Sequence, residues 1–140
     1  MVQGNLREQL VYPQSEEGAD DKLIREALEK VNFAEVLERV DGDFGRSMDW
    51  TNILSLGEQQ RVSFARIFLR KPVLAFLDEA TSSLDEENER VLYENLRGLG
   101  ISFVSVGHRS TLKEFHDHLI QLNKDGSVEI SDISKNARTD

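Results

Sequence analysis

Two adjacent carboxylates, Asp78 and Glu79, close the apolar run "VLAFL". A strand of that composition delivers them to the carboxyl end of a sheet, where open α/β sheets bind their ligands. There the first carboxylate can hold Mg²⁺, directly or through water, and the second can polarise an attacking water. A strand that simply exits into an acidic loop accounts for the pair about equally well. Upstream, "LSLGEQQR" sets Ser55 and Gly57 in a small-residue turn that runs into a helix. Helix N-termini present unpaired amides and a positive dipole end, so they attract phosphate. Gly57 would let the backbone approach a ligand, and Ser55 would add a hydroxyl donor. Taken alone, the stretch reads better as an ordinary Ser N-cap with Glu58 in the first turn. His108, in "SVGHRS", follows a second apolar run and could meet a terminal phosphate, although a lone His after a strand is more often a surface residue. His116 and His118 suit no metal geometry and read as structural, and Phe44 and Trp50 read as loop packing.

These residues need elements to position them. Asp20 or Asp21 caps a helix through about Val31, with Leu23, Ile24, Ala27, Leu28 and Val31 at helical spacing. A short helix over "FAEVLERV" and a loop over "DGDFGRSMDWTN" follow. A helix from about Ser55 to before Pro72 shows Val62, Ala65, Phe68 and Leu69 on one face and keeps Arg61, Arg66 and Arg70 largely off it. "VLAFL" is expected as a strand covered on both faces. "DEENERVLYENLRGLG" is a helix with Asp85 near its start, and "ISFVSV" is a second strand. "HLIQLNKDGSVEI" reads as two strands around an Asn-Lys-Asp-Gly turn. The C-terminal half is therefore expected to be α/β with a mostly parallel sheet, preceded by an exposed acidic loop at "SEEGADD" and followed by a frayed tail.

The chain's 140 residues suffice for one domain. The formal net charge of -9 argues against a nucleic-acid groove, which needs a basic stripe. Twelve acidic and six basic residues lie in the first fifty positions, so a polyanion would have to be met locally, by amides, a metal and a few Arg or Lys. There is no Cys, which excludes disulfides and thiolate zinc sites. No apolar run approaches the roughly 20 residues of a membrane helix, and the N-terminus lacks a signal-peptide pattern.

In order along the chain, "LSLGEQQR", "LAFLDEATSSLD" and "SVGHR" resemble the ATP-binding cassette of ABC transporters, with the match running from about Gly4 to Leu122. The first is similar to the signature motif, with Leu56 where many cassettes have Gly and Glu58 where many have Gln. "LAFLDE" resembles Walker B, "SSLD" the D-loop, and His108 the switch histidine. The wording is most similar to subfamily D, half-transporters related to peroxisomal fatty-acyl carriers, with plastid and bacterial relatives. The resemblance implies a P-loop NTPase-like α/β fold, with ATP and Mg²⁺ as cofactors. Asp78 would hold the Mg²⁺ shell, Glu79 would be the catalytic base, and His108 would sense the γ-phosphate. Ser55 and Gly57, with Glu58 beside them, would face the ATP bound by an opposite cassette, and Asp85 would organise the contact between the two. A second cassette, identical or not, and a membrane-spanning domain are the implied partners. The implied setting is the soluble face of a peroxisomal, plastid or bacterial inner membrane.

None of the six Lys residues fits G-x-x-x-x-G-K-[ST], so the 140 residues contain no Walker A loop, the usual source of most phosphate-binding amides. Gln3 stands too close to Gly4 to be the glutamine of the Q-loop. The resemblance thus places the chain in the C-terminal part of a cassette. Residues 20–70 would form its helical, signature-bearing subdomain, 71–130 its core from Walker B to the switch histidine, and 131–140 a tail. Three expectations follow: the chain does not hydrolyse ATP alone; its sheet has an unpaired apolar edge where a strand is lacking, which makes it sticky; and it has a second reading, as a non-catalytic module that docks on an intact cassette.

Overall fold

The polar N-terminal stretch conceals a helix. Asn5 accepts a hydrogen bond from the Glu8 amide, and the Glu8 carboxylate accepts one from the Asn5 amide. This reciprocal cap starts α1 (Leu6–Val11) directly after the short strand β1 (Gly4–Asn5). The computed structural model describes residues 4–13 and 20–133. Most of the expected acidic loop and most of the expected tail lie outside the described residues.

The chain divides into two compact units, Met1–Val106 and Gly107–Asp140. In the first unit, Asp20 caps α2 (Asp21–Lys30), and Val31 ends it. The expected second helix forms as a tighter 3-10 helix, Ala34–Val40. The expected loop after it is more ordered than its composition indicates. It contains β2 (Ser47–Met48), paired antiparallel with β1, and the single-turn helix α3 (Trp50–Ile53). Trp50 is buried there and donates from Nε1 to the Gly4 carbonyl at 2.9 Å. Phe44 is buried beneath the guanidinium groups of Arg7 and Arg25.

Helix α4 (Leu56–Arg70) is the spine of this unit and ends with Lys71 in the left-handed region before Pro72. It buries Val62, Phe64, Ala65 and Phe68 against α1 and α2. Two of its arginines do more than face solvent. Arg66 Nε donates to the Gln9 carbonyl at 2.6 Å, and Arg70 donates to the Val11 carbonyl at 3.0 Å and also to that of Tyr12. They satisfy the carbonyls that the C-terminus of α1 leaves without intrahelical partners. Strand β3 (Leu74–Asp78) and β4 (Ser102–Val106) pair in parallel through the crossover helix α5 (Glu86–Gly98). This is the βαβ unit that the alternating pattern predicts.

The apolar run of β3 does not have two covered faces. Ala75 and Leu77 are buried, whereas Leu74 and Phe76 are exposed, Phe76 at 77%. Across the register, Val104 and Val106 lie beside them on the same open face. The sheets are small, as expected of a cassette fold that lacks a strand. In the second unit, a 3-10 helix (Ser110–Phe115) precedes β5 (His118–Leu122) and β6 (Val128–Asp132). These form a two-stranded antiparallel hairpin. Its cross-strand pairs Ile120–Ile130 and Leu122–Val128 are exposed. Among the described residues, no helix is long and apolar enough to cross a membrane.

Candidate functional site

Asp78 and Glu79 leave the carboxyl end of the parallel β3–β4 pair, as the apolar run predicts, and both are exposed. Glu79 has φ 46°, a left-handed conformation that a side chain with a Cβ rarely adopts. The conformation is held from both sides. The Glu79 amide donates to the Val106 carbonyl on β4 at 2.9 Å, and its own carbonyl accepts from Gln60 Nε2 at 3.1 Å. Among the described residues the Asp78 carboxylate makes no hydrogen bond or ion pair, so its oxygens are open to a ligand.

The turn after Glu79 packs on the start of α4. Gln60 also donates to Ser82 Oγ at 3.0 Å and accepts from the Ser83 amide at 3.0 Å. A Cβ on Gly57 would stand 2.9 Å from the Ser83 carbonyl oxygen and 3.3 Å from Leu84 Cδ2. Gly57 therefore has a structural reason to lack a side chain, apart from any approach to a ligand. Beneath the turn, Thr81 Oγ1 donates to the fully buried Glu89 carboxylate at 2.6 Å. Tyr93, one helical turn along α5, shares a hydrogen bond of 3.0 Å with Ser105 of β4, and burial raises its hydroxyl pKa. The loop that carries Glu79 is thus fastened to α4, α5 and β4.

Ser55 is the N-cap of α4, completed by Glu58 as a capping box, so the plain helix-start reading holds. The cap takes up the Glu58 amide through Ser55 Oγ at 3.3 Å. Glu58 sits between the Ser55 amide and the Arg39 guanidinium, whose two nitrogens lie 2.5 and 3.2 Å from its oxygens. The Arg39 hydrogen bond outweighs the burial that opposes it, and the carboxyl pKa falls to about 2. Both oxygens of Glu58 are engaged within the chain. Asp85 caps α5 by accepting from the Asn88 amide at 2.8 Å. His108 is exposed at the start of the second unit. In that unit His116 Nδ1 lies 2.6 Å from the Leu112 carbonyl oxygen and His118 Nδ1 lies 2.8 Å from Asp132, local contacts that suit structural roles.

The first unit thus holds Ser55, Gly57, Glu58, Asp78, Glu79 and Asp85, and it joins the signature turn to the acidic loop. Sequence reasoning missed Gln60, Thr81 and Glu89. Gln60 carries a readable signal, since it sits three residues beyond Gly57 and so shares its helix face. Thr81 and Glu89 carry none, because nothing local marks a buried carboxylate–hydroxyl pair.

The sequence profile of the ABC transporter family matches residues 3–82, more than half of the chain. The chain belongs to the ABC transporter family. An uncharacterized ABC transporter ATP-binding protein of Synechocystis is 47% identical over 134 residues, covering 96% of this chain and 20% of that protein. The chloroplastic ABC transporter D family member 2 of Arabidopsis thaliana is 40% identical, covering 88% of this chain and 21% of its own length. The mouse lysosomal cobalamin transporter ABCD4 is 43% identical, covering 93% and 22%. The chain spans about a fifth of the length of these relatives. A bacterial Atm1-family ABC exporter with ATP bound shares the fold at a TM-score of 0.70 and 23% identity, over 84% of this chain and 21% of that one. The likeness to subfamily D read from the motifs holds in these relatives, as does the α/β cassette fold.

Proposed function

We propose that the chain is a segment of the ATP-hydrolysing domain of an ABC membrane transporter, supplying the hydrolytic loop and the signature turn that acts across a cassette dimer. One observation carries the reading. Glu79 is fixed in a rare backbone conformation at the carboxyl end of a parallel strand, and its loop is bonded to the N-terminal turn of α4. Rare conformations held on both sides are characteristic of functional sites.

The roles follow from chemistry. Asp78, an open carboxylate, fits Mg²⁺ as its single protein ligand, since this ion is commonly held by one or two carboxylates plus phosphate oxygens and water. Bound Mg²⁺ would neutralise charge on the β- and γ-phosphate oxygens. Glu79 takes a proton from the attacking water. His108 contacts the γ-phosphate. Ser55 and the first-turn amides of α4 face the γ-phosphate of ATP on an opposite cassette. Glu58 keeps the shape of that turn rather than meeting the anion, because Arg39 and Ser55 hold its carboxylate. Asp85 lies at the contact between cassettes. Fatty acyl chains, their CoA esters or related lipids are the cargo that the subfamily resemblance points to, handled by the membrane domain.

A trans-acting role gives a direct test. The chain is mixed with an intact subfamily D cassette and the partner's ATP turnover is measured. The wild-type chain is expected to change turnover, and Ser55→Arg, which fills the signature turn, is expected to abolish that change. Equal effects from both chains would contradict the assignment of the turn. The second reading is a docking module without catalysis, in which the signature turn and its capped helix act without the Glu79 carboxylate. It predicts that Glu79→Gln leaves the effect intact.

A further inference from the structure

Gln60 commits its whole carboxamide to the turn that follows Glu79. Nε2 donates to the Glu79 carbonyl and to Ser82 Oγ, and Oε1 accepts from the Ser83 amide, at 3.1, 3.0 and 3.0 Å. A neutral amide is the group that can do all three, because it carries donors and an acceptor on one rigid plane. A carboxylate could not donate to the Glu79 carbonyl, and it would add charge beside Asp78 and Glu79. An aliphatic side chain would fill the space and satisfy none of the three. On the same face of α4, Gly57 lets the helix meet the Ser83 carbonyl so closely that a Cβ would stand 2.9 Å from it. The loop's far side is anchored independently, through Thr81 to the buried Glu89 and through the Glu79 amide to Val106.

We propose that Gln60 is a positioning residue that makes the signature turn and the Glu79–Ser83 turn move as one body, so that phosphate arriving at Ser55–Gly57 fixes the carboxylate that acts at another nucleotide. This rests on the reading of Ser55, Gly57 and Glu79 given above. In a two-cassette assembly the phosphate at the signature turn and the water at Glu79 belong to different ATP sites. Gln60 then carries a message from one site to the other within a single chain. The link ends on the backbone carbonyl of the residue whose φ is unusual, and as a coupling between two binding events it works equally in both senses.

Hydrogen exchange on the full chain tests it, with wild type, Gln60→Leu and Gln60→Glu, alone and with an intact subfamily D cassette plus Mg²⁺–ATP. In the free chain, Gln60→Leu should speed exchange at the Ser83 amide roughly tenfold while the interior amides of α4 are unchanged. Gln60→Glu should keep Ser83 protected, since Oε1 still accepts. With cassette and Mg²⁺–ATP, the wild type should gain protection at residues 55–58 and 79–84 together, and Gln60→Leu at 55–58 only. A merely structural glutamine would not produce that split. Equal Ser83 exchange in wild type and Gln60→Leu overturns the proposal, as does equal protection of the loop in both on adding nucleotide. If Mg²⁺–ATP protects neither segment of the wild type, the nucleotide-binding reading fails and takes the transmission with it, while the tether still stands or falls on the Ser83 comparison.

Discussion

At the scale of single residues, the site is built from side chains whose first duty is to hold backbone. Glu58 shows this in its titration. Its folded pKa of about 2 lies below its ordinary value, so the Arg39–Glu58 pair adds stability above about pH 4.5 and loses it as the pH falls toward 2. The pair and cap together contribute about 1 kcal/mol. Urea melts at pH 7 and pH 3 should therefore differ less for Glu58→Gln than for the wild type. Gly57 makes a second case. Gly57→Ala gains helix propensity of about 1 kcal/mol, but its Cβ meets the Ser83 carbonyl at 2.9 Å and forces backbone to move. We expect a net loss of roughly 1–2 kcal/mol, seen as a lower urea midpoint. Thr81→Val removes the donor to the buried Glu89 carboxylate and should cost about 1–3 kcal/mol in the same measurement.

At the scale of elements, much was legible. Asp20, Ser55 and Asp85 each precede an apolar 3.6-residue pattern, and each caps the helix that the pattern announces. The Asn-Lys-Asp-Gly turn gave the β5–β6 hairpin, and the two apolar runs gave the parallel pair. Helix α1 stayed hidden because six residues hold too little periodicity, although the Asn5…Glu8 spacing was a usable cap signal. The tethers of the Glu79 loop stayed hidden because Gln60 and its partners lie about twenty residues apart, beyond any local pattern. The misreading of β3 is instructive. Its composition asks for two covered faces, yet Phe76, Val104 and Val106 stand open. Such a surface invites association. Phe76→Thr should lower light scattering of the purified chain at raised concentration. Because Phe76 is 77% exposed, its stability should change by no more than about 0.5 kcal/mol.

At the scale of the molecule, the net charge of -9 leaves a phosphate chain to be met locally. The groups we propose for that task in the first unit are the open Asp78 carboxylate, through Mg²⁺, and the first turn of α4. The family membership and the shared fold make the chain cassette material. We propose, as the central claim, that its residues act on ATP held elsewhere. Equilibrium titration of a fluorescent ATP with Mg²⁺, against the chain alone and against the chain mixed with an intact subfamily D cassette, tests that claim most directly. The account predicts no saturable binding to the chain alone below roughly millimolar nucleotide, and tighter binding to the mixture than to the cassette by itself. Micromolar binding to the chain alone would contradict it, for then some loop among these 140 residues would cradle the phosphates unaided.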